Sequence, residues 1–254
     1  MFTKESKQLS SVKDHYEHVK NIDLRIKLMS EGPVSFVVRN NLKTIVSLLA
    51  PYSSHERILD IGCGWGALCF FIPHYTNNYG IDISISVLKI NYYKNKHFMF
   101  ILSDAQKTCF KDACFDKFFC INLTGHVPYV KSLLSEAYRI VRPGGLGVVN
   151  FLNVFGIINI PRTLFHLNIG YYGKYNLFAP IDKSFEYFQT KKILKDIGFE
   201  VLGSFGSEFT LPFEIAKKHS QIANHLTQIT EVMGRNTVGK LLSPSIIFKV
   251  RRPT

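Results

Sequence analysis

The chain has 254 residues, 46% of them apolar, enough for one packed domain with an elaboration. No run of about 18 apolar residues offers a membrane span, residues 1–20 carry no apolar secretory signal, and five cysteines without a C-x-x-C pair speak against a disulfide or zinc framework. The net charge of +12 admits nucleic acid, an anionic membrane surface or an acidic substrate, yet no Arg-rich run or RNA-binding signature accompanies it. Charges spread along solvated faces are the favoured reading, in a cytoplasmic protein with reduced thiols.

In chain order, residues 1–34 are polar and then mixed, and are read as one or two short helices lying across a ligand mouth. Residues 34–49 carry an apolar stripe at helical spacing (Phe36, Val37, Leu42, Ile45, Val46, Leu49), and Pro51 closes that helix. Ile58 to Ile61 is an apolar run with the length of a buried parallel strand. Gly62, Gly64 and Gly66 follow at alternate positions, and Ala67 to Ile72 is predicted to start a helix. Strand, glycine turn and helix form the first unit of a nucleotide-binding α/β fold, where a backbone without Cβ lets a ligand lie close.

The ligand of such a turn is a dinucleotide or S-adenosylmethionine. Gly62-x-Gly64-x-x-Ala67 satisfies the loose dinucleotide pattern. Asp60 weighs against it, because a carboxylate two residues before the first glycine repels a pyrophosphate and favours an ammonium or a sulfonium. With Asp60, Gly62, Gly64 and Gly66 in the form D-x-G-x-G-x-G, the chain resembles the class I S-adenosylmethionine-dependent methyltransferases.

Further residues carry the same resemblance. Tyr79-Gly80-Ile81-Asp82-Ile83-Ser84 has the family's G-x-D-x-S form at the end of a second strand, 20 positions beyond Gly62. A carboxylate there can accept both hydroxyls of a ribose. Ser84 is placed to cap a helix reaching about Lys96, with Val87, Leu88 and Ile90 inward. After a third strand, Phe98 to Leu102, Asp104-Ala105 matches the family's adenine-binding pair. A fourth strand runs from Phe115 to Asn122 and leads through Leu123 to His126. A helix from Tyr129 to Val141 ends at Pro143-Gly144-Gly145, a family mark before strand five. Thr190 is predicted to cap a helix that ends at Gly198; strands six and seven follow at about Glu200 to Phe205 and Ile246 to Val250.

The resemblance implies a doubly wound, seven-stranded, mostly parallel sheet with its ligand at the carboxyl ends of the first strands. It implies cofactor contacts from Asp60, Gly62, Cys63, Gly64, Gly66, Asp82, Ile83, Asp104, Ala105, Asn122 and Leu123, with no metal. Residues 1–34 are read as a lid, residues 35–152 and 185–254 as the cofactor-binding core, and residues 153–184 and 208–244 as substrate-cap insertions. Those insertions are rich in aromatic and apolar residues (Phe155, Phe165, Tyr171, Tyr172, Phe209, Phe213); the alternative is that they pad the core edge.

The strand-four end, Asn122-Leu123-Thr124-Gly125, lacks the [DNS]-P-P-[YF] of enzymes that methylate nucleobase amines. A paired-glutamate loop and a carboxylate cluster for a catalytic metal are also missing. His126 is the candidate general base, against the alternative of a packing residue; His166, His219 and His225 are weaker candidates. Methyl transfer to a small or medium-sized, partly apolar acceptor is the expectation. RNA modification and a non-catalytic cofactor-binding partner are the alternatives.

Overall fold

In the computed structural model, which describes residues 4–17, 33–156, 183–207 and 234–254, the motif strand lies at the centre of one sheet. Strand β1 (Arg57–Ile61) buries all of Ile58 to Ile61 and pairs in parallel with a strand on each side, β2 (Asn77–Asp82) and β4 (Phe115–Cys120). Burial on both faces explains why its apolar residues do not alternate with polar ones, Asp60 being the one polar group among the four buried positions.

Outward from this centre come β3 (Phe98–Leu102) beyond β2, and β5 (Val141–Leu152) beyond β4. Strands β6 (Glu200–Ser207) and β7 (Ser245–Arg251) complete the order β3-β2-β1-β4-β5-β7-β6. Strand β7 runs antiparallel to both neighbours and the other pairings are parallel. The reversal of strand order at β1 and β4 opens a crevice at their carboxyl ends, where open α/β sheets bind ligands.

The described helices are α1 (Lys4–Glu17), α2 (Pro33–Ser47), α3 (Ile85–Lys94), α4 (Val130–Ile140), α5 (Tyr187–Ile197) and α6 (Thr237–Leu242). One core cluster joins Leu133, Leu134, Ala137 and Ile140 of α4 and Ile193 and Leu194 of α5 to Phe118, Val149, Phe151 and Phe248. A second joins Leu42, Ile45, Val46 and Leu49 to Ile58, Phe119 and Val148. The stripe predicted from residue 42 onward is therefore core. Cys63, Cys69 and Cys120 fill buried positions, Cys109 is exposed, and all five cysteines are free thiols.

Four local expectations change. Ala67 to Ile72 does not start a full helix: it makes a 3-10 turn, Leu68–Phe70, because Pro73 disfavours helical backbone at Ile72 and β2 begins already at Asn77. Helix α3 buries Asn91 beside Val87 and Leu88, while Ile90 is only half-buried. Thr190 lies inside α5; its hydroxyl bonds back to the Glu186 carbonyl at 2.8 Å, and Glu186 is the cap. The Pro143-Gly144-Gly145 turn is a bulge inside β5, where the pairing register with β4 shifts after Val141.

Ser84 does cap α3, accepting from the Val87 N–H, and Gly198 ends α5 at φ +114°. The cap segments lie largely outside the described residues, including Phe165, His166, Tyr171, Tyr172, Phe209, Phe213, His219 and His225. Their described flanks pack on the core. Asn153 is buried and donates to the Leu241 and Ser243 carbonyls, and Phe185 joins the first core cluster.

Candidate cofactor and active site

The turn after β1 is tied to β2 by its own backbone. The Gly62 and Cys63 N–H groups both donate to the Ile81 carbonyl, at 2.8 and 2.9 Å, and Gly66 N–H closes onto the Cys63 carbonyl at 2.9 Å. Gly62, Gly64 and Gly66 all have positive φ, at +72°, +49° and +73°, a region side chains enter at a cost. What a side chain would meet differs at each. At Gly62 a Cβ would lie 2.8 Å from Leu123 Cδ2, and at Gly66 2.4 Å from Asn91 Oδ1. At Gly64 it would meet only the Gly62 carbonyl, at 3.9 Å. Two of the three glycines let neighbours close in, and Gly64 faces open space.

Asp82 stands at the end of β2 with its carboxylate turned to this loop. Its Oδ2 accepts from the Gly64 N–H and its Oδ1 from the Ser84 N–H, each at 3.0 Å. A carboxylate has about four acceptor positions, so this bracing does not by itself exhaust it. The Ser103 N–H donates to the Asp82 carbonyl at 3.0 Å, which sets the end of β3 beside that of β2. There Asp104 Oδ1 accepts from the Gln106 N–H at 2.9 Å, and Ala105 follows half-buried. A cleft of about 380 Å³ opens at this edge, lined by Ile83, Leu102, Ser103 and Asp104 and by Ser10 and Lys13 of α1.

Asp60 lies beneath the loop and is only 2% exposed. Burial, and then the nearby Asp82 charge, push its carboxyl up to about 8. A cationic group beside it would favour the ionised form again. Cys63 packs against Gly80, and burial pushes its thiol well above the ordinary range, which makes it a space-filling residue rather than a nucleophile.

Asn122 leaves β4 in the left-handed region, φ +56°, a conformation Asn tolerates better than most side chains. It is held there by Asn150 of β5. Asn122 N–H donates to Asn150 Oδ1 at 2.6 Å, and Asn150 Nδ2 donates to Asn122 Oδ1 at 2.7 Å. Thr124 Oγ1 donates to the Asn150 carbonyl at 2.8 Å. The loop so fixed sets Leu123 against Gly62, while the His126 N–H donates to the Leu123 carbonyl at 2.8 Å. His126 is half-buried on that loop, which lies against the backbone of Lys183.

Residues 59–149 match the family model described as a methyltransferase domain. Over that stretch the chain is similar to a methyltransferase domain, and its sheet has the fold of the class I S-adenosylmethionine-dependent methyltransferases. Within that domain the residues present fit the cofactor: an open face at Gly64, a carboxylate at the end of β2 and another at the end of β3.

Among curated relatives, a sterol 24-C-methyltransferase of Saccharomyces cerevisiae is 32% identical over 157 residues, covering 59% of this chain and 40% of that protein. An uncharacterized protein of Methanocaldococcus jannaschii is 30% identical over 154 residues, covering 59% of this chain and 64% of its own. The chain thus spans well under half the length of the sterol methyltransferase. Among solved structures, magnesium protoporphyrin IX methyltransferase from Synechocystis, with bound SAH, superposes with a TM-score of 0.66 at 15% identity, covering 96% of this chain and 99% of that one. A SAM-dependent methyltransferase from Thermotoga maritima gives 0.66 at 16% identity, covering 95% and 99%. Both likenesses show the fold of the domain.

Three site residues escape sequence reasoning: Asn91, Asn95 and Asn150. Asn91 lies on the buried stripe of α3 and Asn95, four residues on, is the C-cap of that helix, while Asn150 sits in the apolar stretch of β5 from Leu146 to Leu152. A polar residue at a position the pattern buries is the available signal.

Proposed function

We propose that the protein transfers the methyl group of S-adenosylmethionine to a small or medium-sized, partly apolar organic acceptor. The observation that carries this is the open face of Gly64, braced by Asp82, whose carbonyl accepts from the Ser103 N–H beside Asp104. In this reading Asp82 takes the ribose hydroxyls, while Asp104 and Ala105 take the adenine. Ile83 and Leu123 give apolar walls, and Asn122 shapes the rim through its backbone, since its side chain is engaged by Asn150. Gly62, Cys63 and Gly66 form the turn itself. Asp60, ionised once the cationic cofactor lies beside it, supplies a negative field near the methionine end.

The bound cofactor supplies an electrophilic methyl carbon for in-line displacement. The protein's part is to align the acceptor, exclude water and, for an acceptor of high pKa, remove its proton. His126, on the loop that also presents Asn122 and Leu123, is assigned that proton. The sterol relatives support an apolar acceptor.

Calorimetry with S-adenosylmethionine and S-adenosylhomocysteine tests the cofactor, with NAD as a control that should not bind. Incubating the protein with methyl-labelled cofactor and a polar or an organic-soluble extract tests the acceptor. Label should enter the organic-soluble fraction; label confined to RNA or protein overturns the acceptor class. Once an acceptor is known, His126→Ala should slow the chemical step by roughly 10²–10⁴ with cofactor affinity kept. A loss of affinity with an unchanged pH profile would make His126 a packing residue.

A further inference from the structure

A glycine turn of this kind is ordinarily steadied by the helix it opens. Here that helix is reduced to the 3-10 turn Leu68–Phe70, so the loop needs another support. Helix α3 provides one from the side. Asn91 is fully buried, Asn95 is 2% exposed, and the Asn91 Nδ2 donates to the Gly64 carbonyl. Asn95 Nδ2 in turn donates to Asn91 Oδ1 at 3.3 Å. Asn95 is itself fixed: its N–H bonds the Asn91 carbonyl at 2.9 Å, and its carbonyl accepts from the Phe98 N–H at 3.1 Å.

Gly64 is therefore gripped at both ends, its N–H by Asp82 of β2 and its carbonyl by Asn91 of α3. Gly66 is part of the same device. A Cβ there would lie 2.4 Å from Asn91 Oδ1 and 2.8 Å from Asn95 Nδ2, so the third glycine is what admits the asparagine pair. Two buried amides, Asn91 on the helix stripe with Val87 and Leu88 and Asn95 at the C-cap, are costly unless they bond. Leucines would fill the same space but have no N–H to donate to a carbonyl.

We infer that Asn91 and Asn95 are positioning residues for the cofactor: they hold the Gly64 carbonyl toward α3 and so keep the glycine loop in its ligand-accepting form. This rests on the cofactor reading of the same loop. The competing role is packing alone, in which the pair merely fills the end of α3.

The test compares wild type with Asn91→Asp, Asn91→Leu and Asn95→Leu. Asn91→Asp keeps size but turns an acceptor toward the Gly64 carbonyl. Calorimetry well below the melting temperature reads affinity for S-adenosylmethionine and S-adenosylhomocysteine, and amide hydrogen exchange reads residues 62–66. Both Asn91 variants should weaken both ligands by a similar factor, roughly 10- to 100-fold, and Asn95→Leu by about 3- to 10-fold. Exchange should quicken at residues 62–66 and stay unchanged in β4 and β5. Folded variants that bind as wild type does, even with a lowered melting temperature, overturn the inference. If the Asn91 variants do not fold, Asn95→Leu decides by the same two readings. If wild type binds neither ligand, the cofactor reading fails, and the exchange comparison still decides whether the clamp exists.

Discussion

The sequence suggests one task for Asp82, and the structure shows another. It was expected to accept ribose hydroxyls; it also holds the Gly64 and Ser84 amides. Asp82→Ala should therefore weaken cofactor binding by at least the 1.5–3 kcal/mol typical of lost charge-assisted bonds, because the loop loosens as well. Calorimetry showing unchanged affinity would remove Asp82 from the site. Gly64→Val should abolish binding, since it fills the one open face of the loop and forces a β-branched residue to φ +49°. Asp60 gives a prediction in pH. Its folded carboxyl titrates at about 8, far above the roughly 3.9 of an unfolded chain. Between those values the folded state holds one more proton than the unfolded state, so this group makes stability fall as pH rises from about 4 to about 8, and then level off. Asp60→Asn should remove that decline. Melting curves at pH 4, 6 and 8 check it, with the variant gaining on wild type steadily from pH 4 through 6 to 8.

At the scale of elements, the two edges of the site are built differently. On the β4–β5 side an asparagine pair locks the loop, and on the β2–β3 side the strand ends are sewn together by backbone bonds. Helix α1 reaches this second edge through Ser10 and Lys13. The insertion after β5 is a separable cap in our reading, but its flanks are core: Asn153 bonds to the α6 end, and Lys183 N–H donates to the Gly125 carbonyl. Replacing residues 157–182 by a short linker, with those flanks kept, should leave cofactor affinity and melting temperature close to wild type and eliminate turnover. A joint collapse of affinity and melting temperature would make the segment part of the core.

For the whole molecule the charge of +12 is the feature most open to misreading. Several basic groups are occupied in ion pairs: Lys117 with Glu56, Arg139 with Asp112 and Glu136, Arg142 with Asp116. We expect RNA to bind only weakly and to be lost as salt rises toward about 0.2 M, as counterion release predicts for unspecific contact. Filter binding across a salt series checks this; tight, salt-resistant binding of one RNA would favour the RNA-modifying reading. Among the described residues no helix is long and apolar enough to cross a membrane.

The sheet and the cofactor class were legible in the sequence because both depend on local patterns. Buried parallel strands are short apolar runs, and a close-approach turn must be glycine, so β1, the Gly62–Gly66 loop, Asp82 and Asp104 stand out in one dimension. The rest was decided by tertiary contact. That Ala67 to Ile72 makes only a 3-10 turn follows from the short path to β2, which depends on where β2 pairs. That Asn91 grips Gly64, and Asn150 holds Asn122, depends on side chains 27 and 28 positions away in the chain. Periodicity assigns a residue to a face; only packing decides which backbone group that face will meet.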